Sequence, residues 1–159
     1  MANLGFLGLG IMGAPMASHL AGAGHTLAVW SHNQSKTKKI AASIGANFCE
    51  FPEAVARQSE CVFLCVGDTA MSRKVILGPK GLVQGAQAGF VIVDCSTVSP
   101  LESACIAKEL GEKKIDFLDA PCTGSKAGAE GGTLTFMVGG PQAVFERVRP
   151  WFEAMGKSL

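Results

Sequence analysis

Short apolar segments alternate with longer segments of helical periodicity along almost the whole chain. The short segments predict buried strands at residues 4–8, 26–30, 61–66, 90–94, 117–120 and 134–138, with one more short strand at 47–49. The longer segments predict helices at 11–23, 34–44, 52–58, 70–77, 100–110 and 141–149. Strands that alternate with helices predict an α/β fold, in which a mostly parallel sheet carries helices on both faces.

Composition narrows the class of protein. A chain of 159 residues has the length of one ordinary domain, so we expect a single domain over 1–159. With 48% hydrophobic and 17% charged residues, it is neither disordered nor collagen-like. The net charge of +1 gives no reason to expect nucleic acid or an anionic membrane as a partner. No apolar run approaches the roughly 18 residues that a transmembrane helix needs.

The N-terminus and the cysteines both indicate a cytoplasmic protein. Residues 1–4 lead straight into the first predicted strand, so we expect no signal peptide. The six cysteines are scattered without a CxxC pair, and we expect them to be reduced, buried side chains rather than metal ligands: Cys49, Cys61, Cys65, Cys95, Cys105 and Cys122.

The most informative motif is a GxGxxG sequence that follows the first predicted strand and opens the first helix. It consists of Gly8, Leu9, Gly10, Ile11, Met12 and Gly13. A second strand follows, which completes a βαβ unit of about 30 residues and favours a dinucleotide site over an empty turn. In such a loop the first glycine permits a tight turn, the second lets the backbone approach a pyrophosphate, and the third allows close packing of helix on strand. Free N–H groups at the start of the helix favour the anion.

The tip of the second strand indicates which dinucleotide binds. An NAD enzyme usually places Asp or Glu there to hold the ribose 2′-hydroxyl. This chain has no acidic residue before Glu50, and three lysines give its first 49 residues a charge of +3. Hydroxyl, imidazole, amide and ammonium donors suit a 2′-phosphate instead. We therefore expect NADP rather than NAD, with a phosphate site formed by Ser31, His32, Asn33 and Lys36.

Polar residues also follow the later strands. Ser96 comes after the strand at 90–94, where it either caps the helix near Pro100 or binds a ligand. Thr123, Gly124 and Ser125 combine small hydroxyls with exposed N–H groups. This segment is either a flexible crossover loop or a nest for a carboxylate or phosphate.

Three motifs together resemble the β-hydroxyacid dehydrogenase family, which includes 3-hydroxyisobutyrate dehydrogenase and glyoxylate/succinic semialdehyde reductase. They are the segments 8–17, 94–97 and 119–124, in order and at suitable spacing. The resemblance covers essentially the whole chain and implies a Rossmann doubly wound fold. It implies that residues 8–13 hold the pyrophosphate, with Met12 near the nicotinamide. It also implies that Val66 and Thr97 line the cofactor's path and that residues 123–125 hold a small-molecule carboxylate substrate.

The chain departs from the family pattern in three ways. Ser31-His32 replaces the frequent Asn-Arg, and Thr123-Gly124-Ser125 replaces the frequent Ser-Gly-Gly. Family members are also about twice as long, and their second, all-helical domain carries the catalytic Lys and a nearby Asn. That Lys supplies or accepts a proton as hydride moves. The resemblance therefore assigns no catalytic residue within 1–159, Lys157 included, and we expect the chain alone to be almost inactive.

Three interpretations of the function stay open, and one further expectation concerns assembly. The chain is either a reductase domain or a cofactor-binding module without chemistry; an imine reductase or 6-phosphogluconate dehydrogenase type is a third possibility. Trp151, Phe152 and Met155 suggest an exposed apolar surface, and residues 157–159 suggest a strand without a partner. Because both features favour association, we expect a homo-oligomer.

Overall fold

The main sheet has six parallel strands in the order β3-β2-β1-β4-β5-β6, in a computed structural model that describes residues 1–159. Their bounds are β1 (Asn3–Leu7), β2 (Thr26–Trp30), β3 (Asn47–Phe48), β4 (Cys61–Leu64), β5 (Val91–Asp94) and β6 (Asp116–Asp119). This order confirms the predicted doubly wound α/β fold. The strand order reverses between β1 and β4, because β2 and β3 lie on one side of β1 while β4, β5 and β6 lie on the other. The loops after β1 and β4 therefore separate and leave a crevice for a ligand.

Helices cover both faces of the sheet. On one face lie α1 (Gly13–Gly22), α2 (Gln34–Ile44), α6 (Ser125–Gly131) and α7 (Gln142–Met155), and on the other lie α3 (Pro52–Arg57), α4 (Thr69–Leu77) and α5 (Pro100–Glu112). The strands alternate between two cores: Phe63 packs toward the first face, while Val62 and Leu64 pack toward the second. The central strands β1, β4 and β5 are thus buried on both sides, as their short apolar sequences predict, whereas the edge strand β3 is partly exposed.

A second, three-stranded sheet lies beyond β6 and was not predicted. It consists of β7 (Cys122–Thr123), β8 (Leu134–Phe136) and β9 (Gly156–Ser158), with β7 antiparallel and β9 parallel to β8. The segment predicted as a strand at 134–138 therefore belongs to this sheet rather than to the main one. Between β7 and β8 lies helix α6, which was not predicted and which begins at Ser125, the last residue of the segment expected to be a loop or a nest.

Helix α7 continues to Met155, although the sequence predicts an end at residue 149. Pro150 lies inside this helix, where a proline costs about 3 kcal/mol because it lacks an N–H and crowds the preceding turn. Aromatic packing offsets that cost. The ring of Phe152 lies 5.5 Å from that of Phe63 and 4.9 Å from that of Phe136, and Phe152 is fully buried.

The C-terminal residues correct the predicted apolar surface. Phe152 and Met155 are fully buried within this domain, and Trp151 is half-buried. The strand expected at 157–159 is β9, and it pairs with β8 rather than lacking a partner. Among the cysteines, Cys49, Cys61 and Cys95 are buried as expected, whereas Cys105 is exposed. No helix is long and apolar enough to cross a membrane.

Candidate cofactor site

The loop between β1 and α1 is shaped by three glycines with different surroundings. Gly8 has a φ of +90°, and a Cβ atom there would collide with the backbone carbonyl of Cys65. A Cβ on Gly13 would collide with the carbonyl of Gly8 and lie 3.1 Å from the ring of Phe6. Gly10, in contrast, has no atom within 4 Å of the position of its Cβ. The first and third glycines therefore serve the turn and the packing, while the second faces open space.

The same loop presents a row of free hydrogen-bond donors. The backbone N–H groups of residues 9–13 have no acceptor within the protein, because α1 starts only at Gly13. The N–H of Gly8 donates to the carbonyl of Trp30 at 2.9 Å, which fixes the loop against the tip of β2. Helix α1 thus begins later than the predicted residue 11. Free N–H groups in this arrangement, together with the helix dipole, favour an anion such as a pyrophosphate.

A cleft of about 390 Å³ opens over this loop, at the point where β1 and β4 diverge. It brings together three segments of the sequence: residues 8–13, the tip of β2 with Ser31 and His32, and the end of β4 with Val66. Ser31 is largely buried, whereas Gly10 and His32 are exposed. No Asp or Glu lines the cleft. We refer to it below as the cofactor cleft.

Three of the expected cofactor residues lie outside the lining of this cleft. Oδ1 of Asn33 accepts a hydrogen bond of 3.1 Å from the N–H of Lys36 and so caps helix α2. The side chain of Lys36 is exposed beside that cap. Thr97 is exposed beyond the end of β5. Of the Asn33 side chain, the amide oxygen is therefore already engaged in the helix cap.

Ser96 connects the ends of β4 and β5 and does not cap α5. Its Oγ accepts from the N–H of Val66 at 2.8 Å, and its own N–H donates to Oδ1 of Asp94 at 2.9 Å. Asp94 is fully buried, and this burial raises the pKa of its carboxyl, against the hydrogen bonds from Ser96 that lower it. Asp119 is paired with Asp94 in the strand register, and burial followed by the charge of Asp94 raises its pKa. This network holds Val66 in the wall of the cofactor cleft.

The segment expected to bind the substrate carboxylate is not part of the lining of the cofactor cleft. Thr123 ends β7, Gly124 has a φ of +134°, and Ser125 begins α6 with a φ of +57°. A positive φ is uncommon for a residue with a side chain and is concentrated at turns and functional sites. All three residues are exposed, and the N–H groups of residues 124–127 have no acceptor within the protein.

Comparison with known proteins identifies the family. Residues 3–159 match the family model for the NAD binding domain of 6-phosphogluconate dehydrogenase. The chain is 44% identical to 2-hydroxy-3-oxopropionate reductase of Escherichia coli K12 over 157 residues. This alignment covers 99% of the chain and 53% of that relative. The chain belongs to the β-hydroxyacid dehydrogenase family. Its match is to the family's nucleotide-binding domain, so NAD(P) is the class of cofactor.

Further members of the dehydrogenase family agree with this assignment. Chloroplastic glyoxylate/succinic semialdehyde reductase 2 of Arabidopsis thaliana is 36% identical over 156 residues, covering 98% of the chain and 43% of that protein. The solved structure of 3-hydroxyisobutyrate dehydrogenase from Mycobacterium tuberculosis with L-serine superposes with a TM-score of 0.92 at 28% identity, covering 99% of the chain and 53% of that structure. The chain thus spans about half the length of the relatives it matches.

Sequence reasoning missed four residues of the cleft. They are Trp30, Cys65, Gly67 and Met71. Trp30 and Cys65 lie at the ends of β2 and β4, where ligands bind in such sheets, so their positions alone could have indicated them. Met71 lies in the first turn of α4, which Asp68 caps by accepting from the N–H of Met71 at 2.8 Å. Only the three-dimensional direction of α4 brings Met71 to the cleft.

Proposed function

We propose that this chain is the NADP-binding domain of a reductase that acts on small semialdehydes and β-hydroxy acids. The observation that carries the proposal is the cofactor cleft, where the free N–H groups of residues 9–13 face a cavity without any carboxylate. A diphosphate gains hydrogen bonds there and meets no repelling charge.

The preference for NADP rests on the tip of β2. Ser31 and His32 line the cofactor cleft at the place where an NAD enzyme usually positions an acidic side chain toward the ribose. A carboxylate at this position would repel a 2′-phosphate, whereas a hydroxyl and an imidazole donate hydrogen bonds to it. We include Asn33 and Lys36 in this proposal at the rim, since both lie at the start of α2, directly after His32.

The proposed substrate class follows from residues 123–125 and from the family. Their free N–H groups and hydroxyls suit a carboxylate, which is common to small hydroxy acids and semialdehyde acids. One relative is named 2-hydroxy-3-oxopropionate reductase and another glyoxylate/succinic semialdehyde reductase. We extend only this shared chemistry, a carbonyl or hydroxyl on a short carbon chain that carries a carboxylate, to the present chain.

In this proposal the residues of this chain bind and orient the cofactor and the substrate. Proton transfer is carried out by another part of the protein. Residues 8–13 would hold the pyrophosphate, with Met12 and Val66 beside the nicotinamide end and Thr97 farther along the same rim. When bound, the cofactor supplies or accepts the hydride. The family resemblance assigns the proton to a Lys in a second domain, so we propose that this chain alone reduces no semialdehyde at a measurable rate.

Cofactor titration tests the proposed function. We expect the isolated chain to bind NADP about tenfold more tightly than NAD, which corresponds to about 1.4 kcal/mol. Calorimetry or the quenching of tryptophan fluorescence measures both dissociation constants, and Trp30 lies in the cleft as a natural probe. Equal affinities, or tighter binding of NAD, would contradict the proposal.

We also propose that the protein self-associates. Strand β9 pairs with β8 on one side only and ends the small sheet, and an unpaired edge is a surface for association. Leu159, next to this strand, is 44% exposed. Light scattering at increasing concentration should show a dimer or a larger oligomer, and a monomer at every concentration would contradict this part of the proposal.

A further inference from the structure

A second groove adjoins the cofactor cleft beyond the tip of β2. It has a volume of about 330 Å³, and its lining includes Trp30, His32, Phe51, Met71, Lys74 and Lys80. Trp30, His32 and Met71 line both cavities. The groove is therefore the outward continuation of the cofactor cleft, and His32 stands at the boundary between them.

The groove is positively charged and contains no compensating acid. Lys74 lies in the last turn of α4, and Lys80 lies in the turn that follows this helix. Both side chains are exposed, neither forms a salt bridge, and no Asp or Glu lines the groove. Two unpaired ammonium groups in one concave surface attract an anion more strongly than isolated surface lysines do.

Two contacts hold Lys80 at the groove. Its Nζ lies 3.9 Å from the centroid of the Phe51 ring, a cation–π contact that restricts the long side chain. Its backbone carbonyl accepts from the N–H of Glu53 at 3.0 Å, in the first turn of α3. Lys80 also has a φ of +61°, which is uncommon for a residue other than glycine. The side chain and the backbone carbonyl of Lys80 are thus each held by one contact.

We propose that Lys74 and Lys80 determine cofactor specificity by binding the 2′-phosphate of NADP. This inference rests on the proposed function, because it assigns the outer end of the same cofactor site. In the doubly wound fold the ribose 2′ position faces the tip of the second strand, which is here Ser31 and His32. His32 lines both the cofactor cleft and the groove, so a 2′-phosphate bound at this tip would lie next to the groove, and Lys74 and Lys80 would take the part of the single arginine that often serves this purpose.

The test compares two double variants that remove the same charge. In Lys74→Gln/Lys80→Gln both groove cations are lost, while the control Lys38→Gln/Lys39→Gln removes two exposed cations of α2 that line neither cavity. Dissociation constants are measured for NADP, NAD, adenosine 2′,5′-bisphosphate and 5′-AMP. Because Lys80 has a positive φ, Lys80→Asn in place of Lys80→Gln provides a second variant whose side chain tolerates that conformation.

We expect the groove variant to bind NADP and adenosine 2′,5′-bisphosphate at least about tenfold more weakly, while NAD and 5′-AMP change less than about twofold. The control should leave all four constants unchanged. An unchanged preference for NADP in the groove variant, or an equal loss for NADP and NAD, would overturn the assignment of the lysines. If the unaltered chain bound neither dinucleotide, the proposed function itself would fail, so the two failures are distinguishable.

Discussion

Nε2 of His19 lies 3.0 Å from the carbonyl oxygen of Ala129, and it lies 2.9 Å from that of Glu130. Because a carbonyl oxygen only accepts, Nε2 must carry the proton in this contact. His19 belongs to the last turn of α1, and both carbonyls belong to the end of α6. The helix that starts at the phosphate loop is thereby attached to the helix that follows the substrate segment.

Removing this contact should loosen α6 without disturbing the cofactor cleft. His19→Ala leaves the two carbonyls without their side-chain donor, and losing such a partner costs about 1–3 kcal/mol where the group is buried. We expect faster hydrogen exchange at the amides of Gly128 and Thr133, which donate to Gly124 and Gly128 respectively. The affinity for NADP should change less than about twofold. His25→Ala, which alters a histidine between α1 and β2 that contacts Ala2 and not α6, is the control, and unchanged exchange in His19→Ala would contradict the anchoring role.

The glycines of the phosphate loop should separate binding from stability. Gly10→Val places a branched side chain in the open space of the cleft, so the free energy of unfolding should be nearly unchanged while NADP binding falls severely. Gly13→Ala should instead lower the free energy of unfolding by about 1–3 kcal/mol, because its Cβ meets the Gly8 carbonyl. Gly22→Val, also with open space around it, is the control. Normal cofactor binding by Gly10→Val would place the site elsewhere.

A carboxylate at the tip of β2 should shift the preference toward NAD. His32→Asp introduces the charge that repels a 2′-phosphate and accepts from a ribose hydroxyl, so the ratio of the two dissociation constants should move by about tenfold toward NAD. Asn33→Asp adds the same charge one residue later while keeping the helix cap, since Asp also caps α2. Equal shifts in the two variants would show that only the net charge matters.

Much of this site follows from local sequence, and the parts that do not are those set by tertiary packing. Residues 8–13 are recognisable because their glycines perform three distinct backbone functions within a few residues. Helix α6 is not recognisable from the sequence, because Gly128 and Gly131 disfavour a helix. It is stabilised instead by its contacts with His19 and Leu134. The extension of α7 past Pro150 likewise depends on Phe152 meeting Phe63 and Phe136.

The buried carboxyl of Asp94 should make stability depend on pH. Burial raises its pKa above the usual 3.8, so the folded protein retains this proton to a higher pH than the unfolded chain does. Its contribution to stability is therefore present below the unfolded pKa and is lost as the pH rises through the folded pKa. Asp94→Asn removes the ionisation and keeps an acceptor for the N–H of Ser96.

Urea unfolding of both proteins at several pH values between about 3.5 and 7 isolates this effect from other titrations. The stability of the unaltered chain, relative to Asp94→Asn, should decrease across that range. The neighbouring Asp119 responds in the same direction, because burial, followed by the charge of Asp94, raises its pKa. A constant difference at all pH values would contradict a raised pKa for Asp94.

The central claim is that the free N–H groups of residues 9–13 bind the pyrophosphate of the cofactor. Nitrogen–proton correlation spectra of the labelled chain, recorded during an NADP titration, observe these amides directly. We predict that the signals of Gly10, Ile11, Met12 and Gly13 shift most strongly and saturate with the same dissociation constant as the fluorescence titration. Unchanged signals for these residues, with saturable shifts elsewhere, would contradict the account.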